Sequence, residues 1–390
     1  MAEKSKLGFG TKAAIGLGGF MIAYFLFLSG NPLPNFDPNN KDHQSIEDAI
    51  RHHIKKPKGD LSKGDLSKVR TLGLHGHEIT DISPLAGLTK LEELHISSSQ
   101  ITDLSPITPM ADLNLFYLDS SKTQNLEPLS ELVQLETLAL SSSEAINDLK
   151  PLSTLKNLKV LRLDNCQISN IEPISSLSQI TNLVLRNNET ANITSLSGMT
   201  GMKFLNLSLN NIKNLSPLTT LKKIESLYVD RNQIKDIGPL SGLTEIKYLY
   251  LQNNEIISIQ PLAKMGNLIS LHLSRNKVTR LNSLESLSRL ETLHLEGNQI
   301  SRLAPLSNLT QLRSLNLKNN NVVDLKPLSG LSKLETLNLS GNTDIKFCMS
   351  LSKLTNLNNL NILDVPKLTR TQIKKLQKEI PECIIQHNAK

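Results

Sequence analysis

The chain has 390 residues, of which 38% are apolar but only 3% aromatic, so a large core has to be built from aliphatic side chains. The formal net charge of +7 is small for this length, and the basic residues form short clusters rather than the stripe typical of nucleic-acid-binding proteins. We therefore expect no nucleic-acid partner. Three cysteines are too few for a disulfide framework; Cys348 and Cys383 could pair in an oxidising compartment or remain free thiols.

The first thirty residues predict a membrane-directed segment. Residues 1–12 form a lysine-containing tail, and residues 13–30 include an apolar run of 16 residues, AAIGLGGFMIAYFLFL. At about 1.5 Å per residue such a helix spans about 24 Å, slightly less than the hydrocarbon core of a bilayer. Lysines precede the run and acidic residues follow it, which favours a cytoplasmic N-terminus with the rest of the chain outside the cytoplasm. The sequence thus predicts a single-pass membrane protein anchored through residues 13–29; the alternative is secretion after cleavage of a signal sequence.

A linker and a helical cap are predicted next. Residues 31–44 are rich in Pro and Asn, as linkers are. Residues 45–68 then begin with Ser45 and Asp48 at the spacing of a capping box, which predicts the start of a helix. The apolar face of this helix consists of Ile46, Ala49, Ile50 and Ile54. This face should cover the first unit of the repeat that begins at residue 69.

A repeat of 22 residues occupies residues 69–356, as IESLYVDRNQIKDIGPLSGLTE (224–245) and LETLHLEGNQISRLAPLSNLTQ (290–311) illustrate. We align thirteen units of 22 or 23 residues and number the slots of each unit from its first apolar residue. Residues 357–390 contain a last partial repeat and a C-terminal cap. A fixed period in this range is typical of a solenoid, in which a unit can bury its apolar face only against its neighbours.

Slots three to seven of each unit predict a short β-strand. Slots four and six are aliphatic, as in Leu293 and Leu295, whereas the slots between them vary, which is the alternation of a strand with one buried face. Proline is common at slot sixteen, where its fixed φ suits an extended or 3-10 return segment. Stacked units should therefore form one parallel sheet. Because strands and return segments differ in width, the rod should curve with the strands on its concave side.

Asparagine occupies slot nine in eight consecutive units. A buried carboxamide can satisfy backbone groups that no regular ladder reaches, each of which would otherwise cost about 1–3 kcal/mol. Earlier units carry other residues at this slot, among them Ser121, Ser143 and Cys166, so we expect the N-terminal third to be held less firmly. The predicted structural ladder consists of Asn188, Asn210, Asn232, Asn254, Asn276, Asn298, Asn320 and Asn342.

The pattern LxxLxLxxNxIxxIxPLxxLxx resembles the 22-residue class of leucine-rich repeats. The segment before it, AIRHHIKKPKGDLSKGDLSKVRTL (49–72), is similar to the helical cap of bacterial internalins. The resemblance covers residues 45–390. It implies an α/β solenoid, namely a right-handed, curved leucine-rich repeat horseshoe. One parallel β-sheet would form its concave face, 3-10 or extended segments its convex face, and a helical cap its N-terminal end.

The concave face is the predicted binding surface, because aromatic residues concentrate on the outward-facing slots of the strands. Slot five carries Tyr228, Tyr250, His272 and His294 in successive units, so these side chains should form one ridge. Aromatic and arginine side chains often anchor interfaces; alternatively, the rings only stabilise the sheet. The predicted partner-binding residues are Phe204, Tyr228, Tyr248, Tyr250, His272, His294, Asp230, Arg231 and Arg186.

Catalysis is not expected from this sequence. Two imidazoles do not complete a tetrahedral zinc site, and neither a catalytic constellation nor a phosphate-binding loop is visible, so we expect no metal, no cofactor and no enzyme activity. The sequence predicts a membrane-anchored, non-enzymatic protein whose concave face recognises a protein, a peptide or a glycan. The alternative is an intracellular regulatory subunit of an enzyme such as a protein phosphatase.

Overall fold

A computed structural model describes residues 36–389 of the chain, except residues 76–77, 98 and 144–145. Within these residues, fifteen parallel strands form one open sheet in which the spatial order follows the order along the chain. The strands are β1 (Thr71–Leu74), β2 (Glu93–Ile96), β3 (Leu115–Asp119), β4 (Thr137–Ser141), β5 (Val160–Arg162), β6 (Asn182–Val184), β7 (Phe204–Asn206), β8 (Ser226–Tyr228), β9 (Tyr248–Tyr250), β10 (Ser270–His272), β11 (Thr292–His294), β12 (Ser314–Asn316), β13 (Thr336–Asn338), β14 (Asn359–Asn361) and β15 (Ile384–Gln386).

Short 3-10 helices connect strands β1 to β14 and form the side opposite the sheet. Many begin with proline at the first or second position, as at Pro84, Pro217 and Pro239. A backbone N–H at the start of a helix has no partner within the helix, so proline costs no hydrogen bond there. The predicted fold class, an α/β solenoid with one parallel sheet on the concave face, is confirmed. These helices span Ser83–Gly87, Ser105–Ile107, Glu127–Glu131, Lys150–Thr154, Glu172–Ile174, Thr194–Gly198, Ser216–Thr220, Gly238–Gly242, Gln260–Lys264, Asn282–Leu284, Ala304–Leu306, Lys326–Gly330 and Met349–Lys353.

The core is one continuous aliphatic column between the sheet and the 3-10 helices. Leu293 and Leu295, at slots four and six, are fully buried, and Phe116 takes the same inward position in β3. Each such side chain contributes about 2 kcal/mol through removal of its apolar surface from water. Since every unit buries its leucines against the next unit, the column holds the strands in a fixed order.

The N-terminal cap consists of helix α1 (Lys41–Ile54) and the short helix α2 (Lys63–Leu66). Helix α1 begins four residues before Ser45, inside the expected linker, because the side chain of Asn40 accepts hydrogen bonds from the N–H groups at the helix start. The predicted capping box at Ser45 is therefore wrong: the Ser45 hydroxyl instead donates to the carbonyl of Lys41. The expected apolar face is present, with Ile46 and Ile50 fully buried against the first unit.

The C-terminal end adds a helix and a strand beyond the last repeat. Helix α3 (Arg370–Glu379) is capped by Thr369, and its buried residues Ile373 and Leu376 cover the end of the core. Strand β15 then pairs in parallel with β14. The sequence predicted a cap in this region but no fifteenth strand, since residues 384–386 carry no repeat motif.

The asparagines of slot nine make the same contacts in successive units. Asn254 shows the arrangement: its Oδ1 accepts from the N–H of Ile234 at 2.9 Å, and its Nδ2 donates to the carbonyls of Val229 at 2.9 Å and Leu251 at 3.0 Å. All eight asparagines are buried. Each carboxamide thus ties its own turn to backbone groups of the preceding unit, at a bend where the strand ladder has ended.

The first four units lack this asparagine and have longer strands, whereas the fifth unit, with Cys166 at slot nine, has a short one. Strands β1 to β4 contain four or five residues, whereas β5 to β15 contain three. The hydroxyls of Ser121 and Ser143 contact each other at 2.7 Å, and the Cys166 thiol donates to the carbonyl of Leu140 at 3.2 Å. Additional strand pairing therefore replaces part of the amide network in the N-terminal third.

The membrane prediction needs a correction. The expected tail (1–12) and anchor (13–30) lie outside the described residues. Among the helices that are described, none is long and apolar enough to cross a bilayer; α1, for example, is amphipathic, with one buried face and charged residues on the other. The prediction of a single-pass membrane protein is therefore wrong for the part of the chain that the structure describes.

The three cysteines lie within the described residues, where they are free and buried. Burial raises the pKa of the Cys166 thiol to about 11 and also raises the pKa of Cys348 and of Cys383. Since thiolates are the reactive form of cysteine, these side chains serve as core residues and are poor nucleophiles.

Replacement of one ladder asparagine should destabilise the fold. In Asn254→Ala, one backbone N–H and two carbonyls lose their partner in a buried turn, which should lower the free energy of unfolding by about 2–4 kcal/mol. Urea unfolding followed by circular dichroism measures the change. Asn308→Ala is the control, because Asn308 is exposed; equal losses in both variants would contradict the role of the ladder.

Amide hydrogen exchange should be faster in the N-terminal third than in the middle of the chain. The described residues of the range 69–156 lack the slot-nine asparagine contacts that hold residues 202–330, so we expect their turns to open more often. Exchange monitored by mass spectrometry gives protection for both regions in one experiment. Equal protection would mean that the longer strands β1 to β4 fully replace the ladder.

Candidate functional site

The sheet places slot five of neighbouring units side by side. Strands β8 to β11 pair in register, so that Tyr228 lies opposite Tyr250, Tyr250 opposite His272, and His272 opposite His294. Parallel strands lie about 4.8 Å apart, which is close to the contact distance of stacked rings. We call these four side chains the aromatic ridge.

The rings of the aromatic ridge stack on one another. The ring centroids of Tyr228 and Tyr250 are 4.3 Å apart with an interplanar angle of 8°, and those of Tyr250 and His272 are 4.3 Å apart with an angle of 20°. His294 contacts His272 edge-on at 4.4 Å. Phe204, at slot three of β7, extends the row, since its ring lies 5.3 Å from that of Tyr228. Most ring faces are therefore covered by the neighbouring ring, and the ring edges point toward solvent.

The histidines of the aromatic ridge are held in their neutral form. Burial between the rings lowers the pKa of His272 to about 4, with a smaller contribution from the neighbouring His294. Burial also lowers the pKa of His294 and raises the pKa of the Tyr228 hydroxyl. Near neutral pH the ridge is uncharged, and its edges offer hydroxyl and imidazole groups that can donate or accept hydrogen bonds.

The remaining predicted binding residues take different positions. Tyr248, at slot three of β9, is 39% exposed and stands beside the stack rather than in it. Asp230, at slot seven, accepts a hydrogen bond from the Ser208 hydroxyl. Arg231 follows it at slot eight, next to the aromatic ridge. Arg186 is exposed but lies two units before Asp230, so the structure does not bring it to the ridge.

Two features of slot five were missed from the sequence. His95 and Tyr117 form a second stack near the N-terminal end, with ring centroids 4.9 Å apart and an interplanar angle of 16°. Beyond His294, slot five continues with Asn316, Asn338 and further amides that line a shallow depression of about 230 Å³. Reading slot five along all units, rather than looking for tyrosines alone, would have shown both.

The turns after strands β3 to β14 all contain a residue with positive φ at slot eight. Left-handed backbone costs about 1–2 kcal/mol for most residues and less for Asn, Asp and Gly. We call this row the slot-eight rim: Ser120, Ser142, Asn165, Asn187, Leu209, Arg231, Asn253, Arg275, Gly297, Asn319, Gly341 and Asp364.

The described residues show no cluster of three or more His, Cys, Asp or Glu side chains that could hold a metal ion. The stacked His272 and His294 are engaged with each other and with the Ser270 hydroxyl, which lies 3.0 Å from Nε2 of His272. The site is thus a wall of ring edges, amides and rim side chains. Such a surface can bind a ligand through contacts and hydrogen bonds.

Family comparisons identify the repeat. A leucine-rich repeat model matches residues 244–300, and a model of two leucine-rich repeat copies matches residues 67–109, 200–242 and 310–348. No curated protein matches the chain. Leucine-rich repeat proteins are typically protein-binding scaffolds and are generally not enzymes.

Solved structures show the same solenoid. The internalin InlF of Listeria monocytogenes has a TM-score of 0.73 at 28% sequence identity, over 92% of this chain and 97% of its own. The functional domain of the Listeria monocytogenes protein InlJ has a TM-score of 0.68 at 20% identity, over 88% and 74%. A plant peptide hormone receptor, RGFR1 in complex with RGF2, has a TM-score of 0.64 at 18% identity, over 79% and 60%. The last two show the fold alone. The chain thus contains leucine-rich repeats, and its solenoid resembles that of the internalins.

The neutral His272 should make the fold less stable in mild acid. Its pKa is about 4 in the folded chain, against an ordinary value of 6.5, so between these values only the unfolded chain binds the proton. The free energy of unfolding should therefore decrease as the pH falls from about 6.5 toward about 4. Urea unfolding at pH 6.5 and at pH 4 measures this decrease. His272→Asn is the control, because asparagine is a normal residue of slot five, as at Asn316 in β12. If His272→Asn loses as much stability as the wild type over this pH range, His272 is not the group responsible.

Proposed function

We propose that this chain is a non-enzymatic recognition protein that binds a protein segment or peptide on its concave face through the aromatic ridge. The observation that carries the proposal is the stack itself. Four aromatic side chains in successive units form a continuous row whose polar ring edges are only partly buried. A stack that served only the sheet would need no exposed hydroxyl or imidazole edges.

The geometry favours a peptide over a glycan. Sugars bind aromatic side chains by laying their C–H groups on an open ring face, since the face carries the negative part of the ring quadrupole. In the aromatic ridge the two faces of Tyr250 are covered by Tyr228 and His272. The exposed edges suit backbone N–H and C=O groups, which a polypeptide offers at every residue.

A peptide ligand is compatible with this fold. The plant peptide hormone receptor, which has the same fold, was solved in complex with RGF2. Short strands and units of almost constant spacing leave the concave face of this chain free of inserted loops within the described residues. Such a face can accommodate an extended segment along the direction in which the units stack.

A randomised library of short linear peptides tests the proposal. Peptides selected on the wild-type protein should bind Tyr228→Ala/Tyr250→Ala at least about tenfold more weakly, because the ring edges that contact them are gone. The variant should remain folded, although the loss of three ring pairs, each worth about 0.5–1.5 kcal/mol beyond burial, lowers its melting temperature.

Gln260→Ala/Lys264→Ala is the matched control, because both residues are exposed on the convex side of the same unit. Affinity that is unchanged in the tyrosine variant would overturn the proposal. So would selective binding of sugars on a glycan array with no peptide selected.

A further inference from the structure

The slot-eight rim carries bulky side chains only beside the aromatic ridge. Most units place Asn, Gly, Asp or Ser at this slot, as its positive φ requires. Leu209, Arg231 and Arg275 are the exceptions, with φ of 58°, 53° and 56°. They fall within four successive units, from the unit before Tyr228 to the unit of His272. The repeat thus accepts backbone strain where the predicted ligand would lie.

The two arginines are free to meet a ligand. Both are exposed. Arg70 and Arg313 form ion pairs with glutamates of neighbouring units, whereas among the described residues no carboxylate pairs with Arg231 or Arg275, nor with the more distant Arg280 and Arg302.

The spacing of these arginines defines the ligand. Arg231 and Arg275 are two units apart, with Asn253 between them, which corresponds to two strand spacings or about 10 Å. A peptide in the polyproline II conformation advances about 3.1 Å per residue with three residues per turn, so side chains three positions apart lie on one face and span about the same distance.

We infer that the ligand is an acidic peptide segment whose two carboxylates, three positions apart, pair with Arg231 and Arg275. The inference rests on the proposed function and specifies its ligand. Residues between the two carboxylates contact the edges of the aromatic ridge. Guanidinium groups suit this role because they hold carboxylates through two parallel hydrogen bonds.

The same peptide library tests the inference with different variants. Peptides selected on the wild type should be enriched in Asp or Glu at two positions three apart. They should bind Arg231→Asn/Arg275→Asn about tenfold more weakly. The melting temperature of this variant should be unchanged or higher, because Asn tolerates the left-handed backbone that it already adopts at Asn187, Asn253 and Asn319. Reduced binding together with undiminished stability separates a ligand contact from a structural role.

Arg280→Asn/Arg302→Asn is the matched control. It removes the same two charges, but at exposed positions of slot thirteen on the other side of the turn, where asparagine is a normal residue of the repeat, as at Asn192 and Asn214. Its affinity should equal that of the wild type.

The outcomes distinguish the two proposals. Suppose that the selected peptides lose affinity for the tyrosine variant. If they then show no excess of Asp or Glu, or bind the arginine variant as tightly as the wild type, the acidic-ligand inference alone is overturned. A library that yields no binder would overturn the proposed function and this inference together.

Discussion

The hydrogen bonds of one buried asparagine per turn hold the regular part of this protein in register. Aliphatic side chains supply the driving force for stacking, but apolar contact has no direction and would tolerate a shift between units. The carboxamide of Asn254 cannot shift, because its oxygen needs the N–H of Ile234 and its nitrogen needs the carbonyl of Val229, both in the preceding unit. Each turn is therefore placed relative to its neighbour by polar contacts, whose loss would leave buried backbone groups without partners.

The aromatic ridge depends on that register. Rings stack only when their carriers are one strand spacing apart and at the same height, and the amide network provides both conditions from β6 onward. The centroid distances of 4.3 and 4.4 Å between neighbouring ridge rings reflect the spacing of the strands beneath them. Burial between the rings in turn keeps His272 neutral. In these units the amide network supports the register on which the ridge depends, whereas the stack of His95 and Tyr117 lies in units without the asparagine, which have longer strands.

A repeat protein provides its own reference for what is unusual. At slot eight, the common Asn and Gly are the residues that best tolerate the left-handed backbone. Arg231 and Arg275 depart from this preference at a cost in conformational free energy. Slot thirteen gives another case. Asp236 and Asp324 accept hydrogen bonds from backbone N–H groups there, whereas Phe347, at the corresponding position, has no acceptor in its side chain and is 73% exposed. Departures of this kind mark positions where the side chain serves something other than the fold.

The sequence alone determined the period, the inward leucines, the amide ladder and the row of aromatic residues at slot five, because each depends on spacing along a chain that repeats its geometry. It could not show the start of α1 at Asn40 or strand β15, since neither belongs to the repeat. It also suggested a membrane protein, from a segment that lies outside the described residues. None of the described helices is long and apolar enough to cross a bilayer. Only the tertiary structure decided that the rings cover one another's faces, that slot eight is left-handed after strands β3 to β14 and that Arg231 and Arg275 have no acidic partner among the described residues. These properties arise between neighbouring turns rather than within one.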